Sequence, residues 1–149
     1  LITNNKSWNK YFTNPSDYIS KKTSNLNKNL KKYKNRDIFC TLLLTGNNEI
    51  KKLNKKFRKK NKSTDILSFP TNGFNKKQKK KYLGDIIISF DYINYPKNIS
   101  KVEFKEKLIK IFIHGFLHLL GFDHLKDKDF KKMSSEEEKI FELVSKKLG

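Results

Sequence analysis

The chain has 149 residues, a length that suits one domain with its own hydrophobic core, over residues 1–149, rather than two. It contains one cysteine, Cys40, so a disulfide framework is excluded and a reducing, cytoplasmic location is expected. The longest nearly apolar run, residues 108–122, contains a lysine and two histidines and is too short to cross a bilayer. The polar residues 1–12 have no apolar segment typical of a secretory leader, so no membrane partner is expected.

The net charge of +19 favours a polyanionic partner, because lysines release counterions from nucleic acid phosphates. Part of this excess is discounted, since 32 of the 34 basic residues are Lys and Ala is absent, a composition typical of drift in an AT-rich genome. An Arg retained among so many lysines indicates a need for bidentate phosphate recognition, which Lys cannot provide. Arg58 is such a residue, whereas Arg36 is equally explained as a surface pair with Asp37 at a strand start.

Helical spacing of apolar residues predicts an amphipathic helix over residues 16–34, with Ser16 and Asp17 as possible caps. A buried strand, DIFCTLLLT, is predicted directly after it, over residues 37–45. Cys40 lies inside this strand and is interpreted as a small buried residue rather than as a reactive thiol.

A turn rich in Gly and Asn then precedes a second helix that ends near Lys60 and places Arg58 in its last turn. A strand over residues 64–70 is stopped by proline, and a lysine-rich solvated loop follows over residues 72–81. Another strand is predicted over residues 83–90.

The second half of the chain is predicted to be helical. Ser100 and Glu103 form an S-x-x-E capping box, which predicts a helix from there to about Leu120. From Leu108 onward apolar residues occur on every side of this helix, a pattern typical of a central, buried helix.

A turn is predicted over residues 121–132, and a final helix after it, opened by a serine and a glutamate of the stretch 134–138. The acidic residues 136–138 are assigned to its first turn, where the helix dipole favours negative charge. Several strands are too close together for a regular alternating crossover pattern. The prediction is therefore an α+β fold, a small mixed sheet covered by helices, with the central helix against it.

All three histidines, His114, His118 and His124, lie within eleven residues. Because His114 and His118 are four apart, they project from one helix face, and Gly121 can end the helix and turn His124 back toward them. Three imidazoles with one position left open are typical of catalytic zinc, although nickel, copper or iron fit the same ligands. Asp123 either orients a histidine ligand or caps the turn.

The spacing of the three histidines and Gly121 equals that of the metzincin peptidases. Those enzymes place a general-base Glu directly after the first histidine, whereas this chain has Gly115 there. A metzincin-like peptidase is therefore the least favoured alternative, because it would lack its base.

The run HGFLHLLGFDH, residues 114–124, resembles the signature HGxLHLxGYDH of the YbeY family of bacterial endoribonucleases, with Phe122 in place of the usual Tyr. The stretch LNKKFRKKNKSTDILSFP, residues 53–70, is similar to the family's block of an arginine followed by a T-D-V-L-S-F-P strand. LGDIIIS, residues 83–89, and the closing MSSEEEKIFELVSKKLG resemble two further blocks. The resemblance covers roughly residues 37–149 in matching order.

The resemblance implies a zincin-like domain and a zinc-dependent endoribonuclease that favours single strands, matures the 3′ end of small-subunit ribosomal RNA and takes part in ribosome quality control. It implies one zinc per chain on His114, His118 and His124, and a catalytic role for Arg58, which would clamp the reacting phosphate. The attacking group is left open between water and the RNA 2′-OH.

Expected partners are single-stranded RNA and ribosome or small-subunit proteins, with no DNA. Asp85, in the L-G-D segment, lines the site, belongs to a protein contact surface, or makes only a hydrogen bond within its strand. The alternative to an enzyme is a non-catalytic, zinc-containing ribosome assembly or RNA-binding factor.

Overall fold

The structure, a computed structural model, describes residues 2–24, 37–71, 80–122 and 126–146. Arg36, Asp123 and His124 lie outside these ranges, as do most of the predicted helix beyond residue 24 and the predicted loop from 72 to 79. No helix in the described ranges is both long and apolar enough to span a bilayer.

The described elements confirm the predicted order and add three short ones. They are β1 (Ile2–Thr3), a 3₁₀ helix (Lys6–Lys10), α1 (Pro15–Thr23), β2 (Asp37–Thr45), α2 (Asn47–Arg58), β3 (Ile66–Pro70), β4 (Lys80–Ser89), α3 (Phe90–Ile93), α4 (Lys101–Leu119) and α5 (Asp127–Lys146). β1, the 3₁₀ helix and α3 were not predicted, because two to five residues are too few to establish a periodic apolar pattern.

The sheet has the strand order β1-β2-β4-β3, in which β3 is antiparallel to β4 and the other pairs are parallel. The mixed sheet predicted from the sequence is therefore confirmed. Ile86 and Ile88 of β4 belong to the main core with α4, whereas Ile87 packs with Ile50 of α2 and Leu67 of β3. Helices α4 and α2 thus cover opposite faces of the sheet.

A bulge in β4 explains the glycine of the L-G-D segment. The pairing of β2 with β4 shifts between Phe39 and Thr41, and Gly84 opposite this shift has a φ of 136°. A Cβ at Gly84 would overlap the carbonyl oxygen of Phe69, so both the backbone conformation and the close approach of β3 require glycine there.

Helix α4 is the buried central helix that the sequence predicts. The Ser100 hydroxyl accepts from the Glu103 amide at 3.1 Å, and the Glu103 carboxylate accepts from the Ser100 amide at 3.2 Å, so the capping box is confirmed. The helix ends at Leu119, two residues before Gly121, whose φ of 95° ends the helical path as expected.

Two predicted helix starts are wrong. Asn14, not Ser16 or Asp17, caps α1, because its side chain accepts from the Asp17 amide and Pro15 is suited to the first turn. Helix α5 begins at Asp127 rather than at Ser134.

The earlier start of α5 has a physical reason. Met133, which is 1% exposed, lies on the same helical face as the buried Ile140 and Val144 and extends their apolar stripe toward the N-terminus. The acidic residues 136–138 therefore lie in the middle of the helix, and neither the predicted capping box nor the dipole explains them.

Cys40 is partly buried in β2, as the sequence indicates. Burial raises the pKa of its thiol to about 11, so the thiolate is scarce near neutral pH. This cysteine is therefore a packing residue.

Candidate metal centre

His114 and His118 lie one turn apart near the end of α4, and their imidazoles face each other. The two Nε2 atoms are 3.2 Å apart, and the rings meet nearly at right angles, at 83°. The i, i+4 spacing thus brings two nitrogen atoms that can bind a metal close together, on one face of the helix as the sequence predicts.

Each Nδ1 atom faces an oxygen. His114 Nδ1 is 2.8 Å from Glu137 Oε1, and His118 Nδ1 is 3.0 Å from the carbonyl oxygen of Phe122. Because a carboxylate and a carbonyl only accept hydrogen bonds, both Nδ1 atoms donate, and in the neutral rings both Nε2 atoms carry lone pairs. Two facing lone pairs at this separation repel each other unless a proton or a metal cation is shared between them.

The separation suits a metal ion. Two nitrogens each about 2.0–2.1 Å from a tetrahedral ion are about 3.3–3.4 Å apart, and the observed 3.2 Å is close to this. The donor chemistry of His114 and His118 therefore fits zinc. The third predicted ligand, His124, and its neighbour Asp123 lie outside the described residues.

The turn after α4 holds His118. The Gly121 amide donates to the His118 carbonyl at 3.1 Å, and the Phe122 amide donates to the Leu117 carbonyl at 3.0 Å. This brings the Phe122 carbonyl back to the His118 ring. Gly121 has the positive φ that the turn needs, so the His118 ring is positioned locally by residues adjacent to it in the chain.

Glu137 is not among the site residues predicted from the sequence, although the sequence contains a signal for it. It lies four residues after Met133 and three before Ile140, so it belongs to the core-facing side of α5. A carboxylate on an otherwise apolar helix face indicates a specific partner. The structure supplies that partner, the His114 ring.

Arg58 ends α2 and reaches across to β3. Its Nη2 atom donates to the Ser68 carbonyl oxygen at 2.7 Å, and its guanidinium carbon is 5.3 Å from the centre of the Phe69 ring. The Ser68 hydroxyl donates to the Gly115 carbonyl of α4 at 3.1 Å. Ser68 thus links Arg58 to the helix turn that carries His114, while other guanidinium donors remain for a ligand.

One groove of about 710 Å³ contains these groups. It is lined by His114 and His118 on one side and by Arg58, Lys60 and Lys62, all three of which are exposed, on the other. The Asp65 carboxylate also lies there, and it accepts from the Ile66 amide at 2.8 Å. The groove therefore combines two imidazoles with a cationic rim, which is suited to an anionic ligand.

The edge of β3 along this groove is unsuited to an extended peptide. The Ser89 amide donates to the Asp65 carbonyl, and the Thr71 amide donates to the Leu83 carbonyl. Because hydrogen-bonded and non-hydrogen-bonded pairs alternate along an antiparallel ladder, residues 66, 68 and 70 direct their backbone groups away from β4. At this free edge the Ile66 amide is bonded to Asp65, the Ser68 carbonyl is bonded to Arg58, and Pro70 has no amide hydrogen. A peptide strand would find these groups occupied or missing.

Gly115 has a steric reason to be glycine. A Cβ at this position would lie 2.5 Å from Ile66 Cδ1 and 2.9 Å from Ser68 Oγ. Helix α4 meets β3 here without room for a side chain. The carboxylate that metzincin peptidases place at this position is therefore excluded by packing as well as by sequence.

Asp85 does not line the groove. It is exposed and pairs with Phe69 across the strands, on the sheet face that α2 partly covers, opposite α4. The Tyr82 hydroxyl donates to its carboxylate and lies 2.9 Å from Thr41 Oγ1. Of the alternatives for Asp85, the local hydrogen bond is present, and a role at the site stays a prediction.

Comparisons with known proteins agree with the fold and show the family. A family model described as endoribonuclease YbeY matches residues 2–145. The chain is 58% identical to endoribonuclease YbeY of Pelagibacter ubique over 124 residues, which are 80% of this chain and 79% of that protein. It is 33% identical to endoribonuclease YbeY of a Sulfurihydrogenibium species over 151 residues, covering 97% of this chain and 92% of that protein.

The solution structure of TM1509 from Thermotoga maritima is similar to this one, with a TM-score of 0.56 and 26% sequence identity. The similarity covers 96% of this chain and 87% of that chain. The family match thus extends over the sheet, the central helix and α5. The chain therefore belongs to the YbeY family of endoribonucleases, which are hydrolases that act on RNA.

Proposed function

We propose that this endoribonuclease is zinc-dependent and favours single-stranded RNA, with one zinc per chain on His114, His118 and His124 and with Arg58 as the catalytic phosphate-binding residue. Its proposed task is maturation of the 3′ end of small-subunit ribosomal RNA and ribosome quality control in the cytoplasm, as the family resemblance implies. Its proposed partners are that RNA and ribosome or small-subunit proteins. We further propose that residues 1–149 act as one domain.

The observation that carries the proposal is the pair of facing Nε2 atoms in a groove that also contains a guanidinium. When bound, zinc supplies Lewis acidity toward a phosphoryl oxygen or a water molecule. The Nδ1 hydrogen bonds orient both rings, so that the protein does not have to reorganise them during the reaction.

Arg58 has the role of holding the reacting phosphate. Its bond to the Ser68 carbonyl fixes the guanidinium against β3 and leaves donors that can bind two phosphate oxygens at once. As negative charge builds up on those oxygens, a fixed guanidinium stabilises it without moving. Lys60 and Lys62 on the same rim are suited to the phosphates on either side.

The partial burial of His114 in the groove supports a preference for single strands. The His114 side chain is 31% exposed, so a phosphodiester must enter the groove to reach its ring. A single strand can bend its backbone into such a groove, whereas a duplex presents both backbones on a rigid rod.

The proposal is tested by incubating a defined single-stranded RNA with wild type, His114→Ala, Arg58→Ala and Arg58→Lys. We expect His114→Ala to lose both bound zinc and cleavage, since a ligand is removed. Arg58→Ala should retain zinc and lower kcat by about 10²–10³, the usual effect of removing one donor to transition-state charge. The kcat of Arg58→Lys should lie between those of wild type and Arg58→Ala, because lysine keeps the positive charge but cannot bind phosphate in the bidentate manner of arginine.

Lys21→Ala, an exposed lysine of α1, is the matched control and should cleave like wild type. The products identify the attacking group, since attack by the 2′-OH leaves a 2′,3′-cyclic phosphate. Wild-type cleavage by His114→Ala would place the activity elsewhere. RNA binding without cleavage, together with unfolding on removal of zinc, would support a structural zinc and an assembly factor instead.

A further inference from the structure

His114 contacts His118 on its own helix and a second residue, Glu137, from a different element of the fold. Glu137 lies in the middle of α5, and its carboxylate is 2.8 Å from the Nδ1 atom of His114 on α4. The two side chains are similarly exposed, at 31% for His114 and 33% for Glu137, so the contact is partly shielded from water.

The neighbouring acids of α5 differ from Glu137. Glu136 is as exposed as Glu137, at 33%, but its carboxylate forms an ion pair with Lys139 of the same helix at 3.4 Å, and Glu138 is exposed. Glu137 instead shares its helix face with Met133 and Ile140, which are 1% and 2% exposed. A carboxylate costs free energy on such a face, and its interaction with the imidazole offsets that cost.

The two histidines also differ in the acceptor that each Nδ1 meets. His118 donates to a neutral carbonyl, that of Phe122, whereas His114 faces a carboxylate. A hydrogen bond to a charged acceptor is stronger and draws the Nδ1 proton further from the ring. The tautomer with the proton on Nδ1 and the lone pair on Nε2 is therefore held more strongly at His114 than at His118.

We propose that Glu137 is a positioning residue for the metal centre: it holds His114 with the proton on Nδ1, aims Nε2 at the ion, and raises the affinity for zinc. This inference rests on the proposed metal centre and adds to it a residue outside the histidine cluster. It also makes α5 part of the site, because the carboxylate can reach His114 only while α5 is packed against α4 through Met133, Ile140 and Val144.

The test is the zinc affinity of the purified chain, measured by competition with a chromophoric chelator. We expect Glu137→Ala to weaken zinc binding about 10–100-fold, the usual effect of removing such a partner. Glu137→Gln should lose less zinc affinity than Glu137→Ala, since the glutamine amide oxygen still accepts from Nδ1 and only the negative charge is removed. Glu137→Asp should lose more zinc affinity than Glu137→Gln, because the aspartate side chain is one methylene shorter and its carboxylate does not reach the His114 ring.

Glu138→Gln is the matched control, since it removes the same charge from the next position, and it should bind zinc within twofold of wild type. Nitrogen NMR of the zinc-free chain provides a second measurement. Wild type and Glu137→Gln should show His114 with its proton on Nδ1, and Glu137→Ala should show a mixture of tautomers. A loss of stability alone would not change the tautomer of His114 in a variant that is still folded.

Two outcomes would overturn the inference, and they are distinguishable. If wild type binds zinc tightly and Glu137→Ala binds it within twofold, Glu137 has no role and the metal centre stands. If wild type binds zinc no better than His118→Ala, the metal centre itself is wrong, and the role of Glu137 is lost with it. Should Glu137→Ala fail to fold, an unchanged affinity in Glu137→Gln and Glu137→Asp would overturn the inference equally.

Discussion

At Gly115, α4 contributes no side chain to its contact with β3. The Ser68 hydroxyl bonds to the Gly115 carbonyl across this contact, and Ser68 in turn holds Arg58. The position of Arg58 relative to the helix that carries His114 and His118 therefore depends on one close approach of helix and strand.

Gly115→Ala measures the cost of filling this contact. Alanine gains about 1 kcal/mol of helix propensity, but its Cβ would lie 2.5 Å from Ile66 Cδ1, and overpacking typically costs about 1–3 kcal/mol. We expect the free energy of unfolding, measured by urea denaturation, to fall by up to about 2 kcal/mol, which is the overpacking cost less the gain in helix propensity.

The control is the same substitution in an Ile66→Val background, where the Cδ1 atom is absent. In that background Gly115→Ala should leave the free energy of unfolding unchanged or raise it. The gain in helix propensity remains, and the contact with Ile66 Cδ1 is absent. An equal loss of stability in both backgrounds would show that Ile66 is not the limiting contact.

At the scale of the element, the end of α2 fixes where Arg58 points. Lys59 follows the helix with a φ of 57°, and its amide donates to the Lys55 carbonyl at 3.1 Å. This left-handed residue turns the chain away from the helix axis and leaves Arg58 directed at β3. Among the described residues other than glycine, it is the one with positive φ.

Lys59→Gly should stabilise the protein. Glycine adopts this conformation without the Cβ penalty that lysine pays, so we expect the free energy of unfolding to rise by about 0.5–1 kcal/mol. Urea denaturation measures the gain, and RNA cleavage should be retained because Arg58 is unchanged. Lys60→Gly, at the next position, should be neutral or destabilising; a gain equal to that of Lys59→Gly would contradict the conformational explanation.

At the scale of the whole molecule, the net charge of +19 has two opposite effects. Like charges repel one another within the folded chain, and the same charges attract RNA. Salt screens both interactions, since the distance over which charges act falls from about 10 Å at 0.1 M to about 3 Å at 1 M.

Added salt should therefore raise the melting temperature and lower the affinity for RNA. With three phosphate contacts, from Arg58, Lys60 and Lys62, the logarithmic slope for a single strand is about −2, so affinity should fall about 20-fold between 50 and 200 mM salt. Thermal denaturation and fluorescence anisotropy with a short single-stranded RNA measure the two effects. An affinity that does not change with salt would contradict phosphate binding by this rim.

The sequence predicts those parts of this protein that rest on local patterns. The order of the main elements, the capping box of Ser100 and the shared face of His114 and His118 all follow from spacing along one segment. The start of α5 and the partner of His114 depend on how α5 packs against α4, which no local pattern contains. Glu137 was for that reason assigned to a helix end, although it lies among core residues.

The occupied edge of β3 has a consequence for the behaviour of the protein in solution. A sheet edge with free backbone groups is a template for pairing with a strand of another molecule. Arg58 covers the Ser68 carbonyl, and Pro70 removes a donor, so this edge is poorly suited to such pairing. The guanidinium that we propose to bind phosphate thus also hinders aggregation through the β3 edge of the sheet.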